Sequence, residues 1–263
     1  MVNPSRNCIF CGPGCPRLTK EDVWPTWLGK FIPKDAPNYS ASSTIIYAER
    51  TDVTRKTVNG DSKSRRVRRV CSDCNNGWMS RLQERAKPIV LSLAMGGETT
   101  LSDEAQRTLA AWCAMSTMTS DHFYPSRAAI PQRHRDALRL NNSLPEDEWR
   151  IWIGHYERTD WVPDWVRNAM AIWSDEHPPA YLADTFPILN TQTTTLVFGK
   201  LYVHTFSSVH SDLVSITGKP NEKLIQLLPR TSDRVIRWPP PVMTDRDADN
   251  AAGFIFKALD KAT

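Results

Sequence analysis

Cys8-Ile9-Phe10-Cys11 and Cys71-Ser72-Asp73-Cys74 are the two stretches whose reading decides the fold of this 263-residue chain. Two thiolates spaced C-x-x-C on a tight turn can share one tetrahedral Zn²⁺, and two such knuckles complete a closed four-sulfur site. Gly12, directly after the first pair, suits the backbone of such a turn. The pairs are 59 residues apart, far beyond the roughly 15–20 of a compact zinc ribbon. Cys15 stands close enough to the first pair to compete as a ligand, and Cys113 falls on the apolar face of a predicted helix, where a buried core thiol is expected. Four unrelated reduced thiols are the alternative; the doubled spacing favours structural zinc.

Working outward, Cys74-Asn75-Asn76-Gly77-Trp78-Met79 opens a predicted helix with Trp78, Met79 and Leu82 at helical spacing, which Pro88 interrupts or ends. Between the pairs, residues 33–55 read as loop with one strand at Thr44–Ala48. Ser102 caps a second helix, with Asp103 and Glu104 in its first turn and Leu109, Trp112 and Met115 facing the core. From Glu148 onward strands take over. The run WRIWIGHYER alternates, as does TTTLVFG followed by KLYVHTF, and the last two meet at a two-residue turn, Gly199-Lys200. LIQLL and RVIRW are further strands, and Thr244 caps a C-terminal helix through Phe254, Phe256 and Leu259. The expected class is α+β, with a cysteine-bearing module over residues 1–88 and a larger mixed helix and antiparallel-sheet body over residues 89–263.

Composition narrows the function. With 40% hydrophobic residues and a net charge of +4, the chain has a core to bury and is not disordered as a whole. No apolar stretch approaches the roughly 20 residues of a bilayer span, and no basic-then-apolar leader is visible at the start. Six cysteines are too few for a disulfide scaffold, so reduced thiols and a cytoplasmic location are expected. Residues 1–90 hold 16 Lys and Arg against 8 Asp and Glu, while the remainder is slightly acidic. Much of the excess sits in Lys63, Arg65, Arg66, Arg68 and Arg69, directly before the second knuckle. A regular strand there would show Arg66 and Arg68 on one face and Arg65, Val67 and Arg69 on the other. Backbone-phosphate contact is the functional reading of this run, and a solvated loop the plain one.

The residues beside the knuckles carry a resemblance. LTKEDVWPTWLGKF (residues 18–31) follows the first pair, and Asn75-Asn76-Gly77-Trp78-Met79 follows the second. Together they resemble the zinc-supported HNH endonucleases, most closely a bacterial and phage branch reading roughly C-x-x-C … E-H-V-x-P-x-W-L … C-x-x-C-N-N-G-W-M. The likeness covers residues 8–88. It implies a ββα-metal finger clamped by zinc on Cys8, Cys11, Cys71 and Cys74. A second divalent ion, Mg²⁺ or Mn²⁺, would sit on Glu21 and Asn75 and act on phosphodiester bonds in DNA.

One position departs from that pattern. Where the branch carries its general-base histidine this chain has Asp22, and none of its six histidines precedes residue 90. The asparagine expected shortly before the second knuckle is also missing, replaced by the basic run. Aspartate near pKa 3.9 is a weaker base than histidine near 6.5, unless a metal-bound water asks less of it. Alternatively, Glu21 and Asp22 both bind the ion, which on a strand requires a bulge or a strand end. His122, in the predicted loop SDHFYP, is the histidine of the body to test for proximity to Glu21. Glu21-Asp22 has the plain reading of a solvated segment after Thr19, and Asn75 that of a helix cap. Trp24, Trp27 and Trp78 are expected as core plugs of a thin module. Three functions fit: a metal-dependent endonuclease, a zinc-supported nucleic-acid binder that has lost its base, and a protein-interaction module. A homodimer would suit cleavage of both strands.

Overall fold

The computed structural model describes residues 7–15, 17–31, 38–47, 50–59, 66–160, 164–172, 181–182, 186–230 and 234–255. In chain order the elements are β1 (Leu18–Asp22), β2 (Asn38–Tyr47), β3 (Arg50–Asn59), β4 (Arg66–Cys71), α1 (Ser72–Cys74), α2 (Ser80–Ala94), β5 (Thr99–Leu101), α3 (Asp103–Asp121) and α4 (Gln132–Asn141). There follow β6 (Trp149–His155), β7 (Trp165–Met170), β8 (Tyr181–Leu182), β9 (Phe186–Pro187), β10 (Thr191–Phe198), β11 (Leu201–Ser208), α5 (Ser211–Ile216), β12 (Ile225–Leu228), β13 (Ile236–Trp238) and α6 (Asp245–Ala252). The class is mixed α+β.

The main sheet has seven strands in the order β12-β6-β11-β10-β7-β2-β3. Every neighbouring pair is antiparallel except β2 and β7, which run parallel. Its centre is the predicted hairpin, β10 and β11, closed by Gly199 (φ 60°) and Lys200 with Phe198 opposite Leu201. Both strands are buried at every position. Neither face meets water, so the alternation expected of these strands does not separate a wet face from a dry one. One face, carrying Ile151, Ile153, Leu196, Leu201 and Val203, packs in the cluster that holds α2 and α3. The other, with Trp152, Val197, Tyr202 and Phe206, packs on Ala248, Ala251 and Ile255 at the C-terminal helix.

The polar residues of the sheet are absorbed by specific partners. Thr117 on α3 bonds Thr205 at 3.2 Å, and Asn168 donates to Thr193 and to the Ala252 carbonyl. Arg167 on β7 reaches Asp121 at the end of α3, where both side chains are fully buried. That carboxylate also accepts the Ala129 and Ile130 amides, so its buried charge is met by backbone donors as well as by the guanidinium.

Three expectations are corrected. Residues 33–55 are not loop with one short strand: β2 and β3 are ten residues each. Their many threonines and serines hid the strands, because an edge hairpin needs little apolar content. The outermost strand, β3, carries Arg50, Asp52, Arg55 and Lys56, charges typical of a sheet edge. Pro88 does not end its helix but lies inside α2, which runs on to Ala94. The carbonyl it strands belongs to Glu84, an exposed residue. The helix expected to run unbroken from Cys74 is instead two pieces, α1 and α2, joined by a wide turn over Asn75–Met79 in which Gly77 is non-helical. The Ser102 cap holds, with Ala105 donating to its hydroxyl, and Thr244 forms a full capping box with Asp247. Ala48, Lys63, Arg65, Phe256 and Leu259 lie outside the described residues. Among the described residues no helix is long and apolar enough to cross a membrane.

Candidate metal centre

The chain solves the 59-residue separation with a pair of strands. β1 leaves the first knuckle and β4 returns to the second, antiparallel, with Leu18 opposite Cys71. Ile9 donates to the Arg69 carbonyl at 2.9 Å and Ser72 to that of Arg17 at 2.9 Å, which stitches one knuckle to the other. The intervening excursion is β2 and β3, which join the body's sheet. Gly12 (φ 79°) closes the first knuckle by exchanging two backbone bonds with Cys8, a left-handed conformation that favours glycine.

The four sulfurs of Cys8, Cys11, Cys71 and Cys74 all lie within 4.8 Å of one another. A tetrahedral zinc with bonds of about 2.3 Å asks for sulfur separations of roughly 3.8 Å, so this cluster needs only small adjustment to hold a metal such as zinc. The surroundings suit thiolates. The Phe10 and Cys71 amides donate to the Cys8 sulfur at 3.4 and 3.3 Å, and the Cys74 amide to that of Cys71 at 3.4 Å. The buried Trp78 indole N–H has no hydrogen-bond partner, and its proximity favours the charged form of Cys74. Without a cation the four sulfurs cannot all ionise. The Cys74 thiol bonded to Cys8 pulls Cys8 down to about 4, while burial and the neighbouring sulfurs push Cys11 up to about 12 and the bond to Cys8 raises Cys74. One negative charge is shared among four, and a divalent ion removes that limit. Cys15 is buried but stands outside the cluster, and Cys113 is a core thiol whose burial raises its pKa.

Glu21 and Asp22 end β1 and diverge. Thr19 pairs with Val70 and Glu21 with Val67, so two steps along β1 face three along β4. The bulge the pair needs lies in β4, and β1 keeps its alternation. Glu21 is 7% exposed, whereas Asp22 turns to Arg66, whose Nε lies 2.6 Å away. Burial, with Asp22 adding to it, raises Glu21 to about 7. Asn75 donates to the Thr19 hydroxyl at 3.0 Å, and Thr19 shares its face of β1 with Glu21 two residues on. The same bulge corrects the expected faces of the basic run: Arg66, Arg68 and Arg69 are all exposed, and Val67 alone points in.

The tryptophans do more than plug a small module. Trp78 meets Phe10 edge-on at 5.0 Å, but Trp24 donates its indole N–H to the Val197 carbonyl of β10 at 3.1 Å. His122 lies not with Glu21 but in a cavity of about 490 Å³ beside the first knuckle, lined by Cys8, Cys11, Arg69, Gln132, Arg135 and Asp136 among others. Burial holds His122 at about 4, so it is neutral at pH 7. Gln132 and Arg135 were invisible as site residues, because nothing in the sequence of α4 refers to a knuckle 120 residues earlier. Two other buried histidines are structural: His134 is held between Glu148 and Trp149, and His204 by Thr195 within the sheet.

No family model matches the chain, no curated protein matches it, and no solved structure matches it.

Proposed function

We propose that the chain is a metal-dependent, HNH-like endonuclease that hydrolyses phosphodiester bonds in DNA. The observation that carries the reading is the buried Glu21 carboxyl, raised to about 7, on the strand that leads from one metal-binding knuckle to the other and on the same face as the Asn75-bonded Thr19. A carboxyl raised this far by burial and a neighbouring charge is a candidate reactive group. The two antiparallel strands followed by a helix, with four cysteines at their base, support it further.

In this reading Glu21 and Asn75 hold Mg²⁺ or Mn²⁺, which when bound supplies an activated water and balances charge on the phosphate. A carboxyl near pKa 7 releases its proton to solvent at little cost near neutral pH when a cation takes its place. Arg66, Arg68 and Arg69, with Lys63 and Arg65 before them, meet the phosphate backbone. Asp22 is tied to Arg66, and a backbone phosphate arriving at Arg66 competes for that guanidinium and releases the Asp22 carboxylate as base or third ligand. The same ion pair favours a second reading, a zinc-supported nucleic-acid binder without cleavage, if Asp22 never leaves Arg66.

The test is nicking of supercoiled plasmid by zinc-loaded protein with Mg²⁺, Mn²⁺ or EDTA. Wild type is expected to nick only with the added ion, and Glu21→Ala to lose at least about 100-fold, the range of a positioned catalytic group. Silent wild type with an active Asp22→His variant would identify a binder that has lost its base. Silence from every variant, with no salt-sensitive DNA binding, would end both readings and leave a protein-interaction module.

A further inference from the structure

The cavity beside the first knuckle holds two cations without carboxylate partners. Arg135 on α4 donates from Nε and Nη2 to Gln132 Oε1, at 3.2 and 3.0 Å, and from Nη1 to the Ile130 carbonyl. All these acceptors are neutral, and among the described residues Arg135 makes no ion pair. Arg69, from β4, makes none either. A half-buried guanidinium with only neutral acceptors is costly unless a negative charge lies near. The acid in the cavity, Asp136, is already engaged by the Gln132 amide at 3.1 Å and faces Arg139 at 3.9 Å. His122 is neutral.

The missing negative charge is the metal site itself. A divalent ion on four thiolates carries a net charge of −2, and Cys8 and Cys11 form one wall of the cavity into which Arg69 and Arg135 face. Two arginines and one dianionic metal unit sum to zero. Asp121, itself paired with Arg167, and Asp136 favour the charged form of Arg135 first, and the Cys8 charge adds to them. Gln132 completes the connection: while its oxygen accepts from Arg135, its amide donates to the Phe10 carbonyl, inside the first knuckle, at 3.2 Å.

We propose that Arg135 and Arg69 are the counter-charges of the metal–tetrathiolate unit, with Gln132 fixing Arg135 against the first cysteine pair. Metal retention is then a property of knuckles and body together: α4, more than 50 residues beyond Cys74, is part of the site. This inference rests on the metal centre and not on the cleavage reading, and its test uses neither nucleic acid nor added Mg²⁺.

The experiment follows zinc transfer from the full-length zinc-loaded protein to a chromophoric chelator. Arg135→Gln and Arg69→Gln are each expected to weaken zinc retention by about 10-fold or more, the usual effect of losing an outer partner of a metal ligand. Arg135→Lys keeps the charge and recovers most of the loss. Arg107→Gln, which removes an exposed arginine paired with Asp103, is expected to change nothing. Arg69 is exposed, so its variant separates charge loss from misfolding even if Arg135→Gln folds poorly. Unchanged retention in Arg69→Gln and in folded Arg135→Gln would overturn the proposal. So would inorganic phosphate binding to wild type that Arg135→Gln loses at unchanged zinc affinity, since Arg135 would then serve an external anion.

Discussion

Glu21 is the residue whose chemistry is furthest from ordinary. Its folded pKa, about 7, lies above the usual carboxylate range because burial disfavours the anion and Asp22 repels it. A raised carboxyl means that the folded state binds more protons than the unfolded one. Its effect is absent below the unfolded pKa, and stability is lost as pH rises through the window from about 4.5 to 7. Glu21→Gln keeps the shape and removes the charge, so urea denaturation should find it about as stable as wild type at pH 4.5 and about 1–3 kcal/mol more stable at pH 8. Equal stability at both pH values would mean that the carboxylate is hydrated and no longer a reactive candidate. The cysteine set was legible in the sequence because C-x-x-C spacing is local. That Glu21 turns in while Asp22 pairs with Arg66 was not, because it depends on a bulge in β4, and no residue of β1 announces it.

At the scale of elements, local signals were readable wherever one residue type has one job. Ser102 and Thr244 cap their helices, and Gly199-Lys200 turns its hairpin. What escaped was set by tertiary context. β2 and β3 are strands because the body offers them the edge of β7, and α2 continues past Pro88 because its buried stripe of Leu82, Ala86, Val90 and Leu93 holds both halves against the core. Packing thus outweighs a proline in this helix. Pro88 itself is exposed, so Pro88→Ala leaves the core untouched and restores the bond to the Glu84 carbonyl. The variant should gain about 1–3 kcal/mol in urea denaturation, up to the usual difference between proline and alanine inside a helix. A loss of stability would show that the proline's shape, and not merely its tolerance, is part of α2.

The whole molecule has one principal core. A single apolar cluster runs from Cys8, Phe10 and Trp24 through α2 and α3 to Trp149, Phe198 and Trp238, so the knuckles pack on the body with no apolar break. Trp24 reaches Val197 on β10 and lies 6.1 Å from Phe198, which in turn meets Trp112 of α3 at a tilt, 4.9 Å between ring centres. Metal binding is therefore coupled to the folding of the body: an ion that binds only the folded knuckles stabilises everything that unfolds with them. Stripping the metal with a chelator should lower the melting temperature of the whole chain, and hydrogen exchange should accelerate at the amides of β10 and α3 as well as around the cysteines. Faster exchange confined to residues 7–31 and 66–80 would mean that the module opens alone, as a local unit of low stability. The contacts argue for the first outcome, since local opening would strip Trp24 and Phe10 from the core and leave the Val197 carbonyl and the Gln132 amide without their partners.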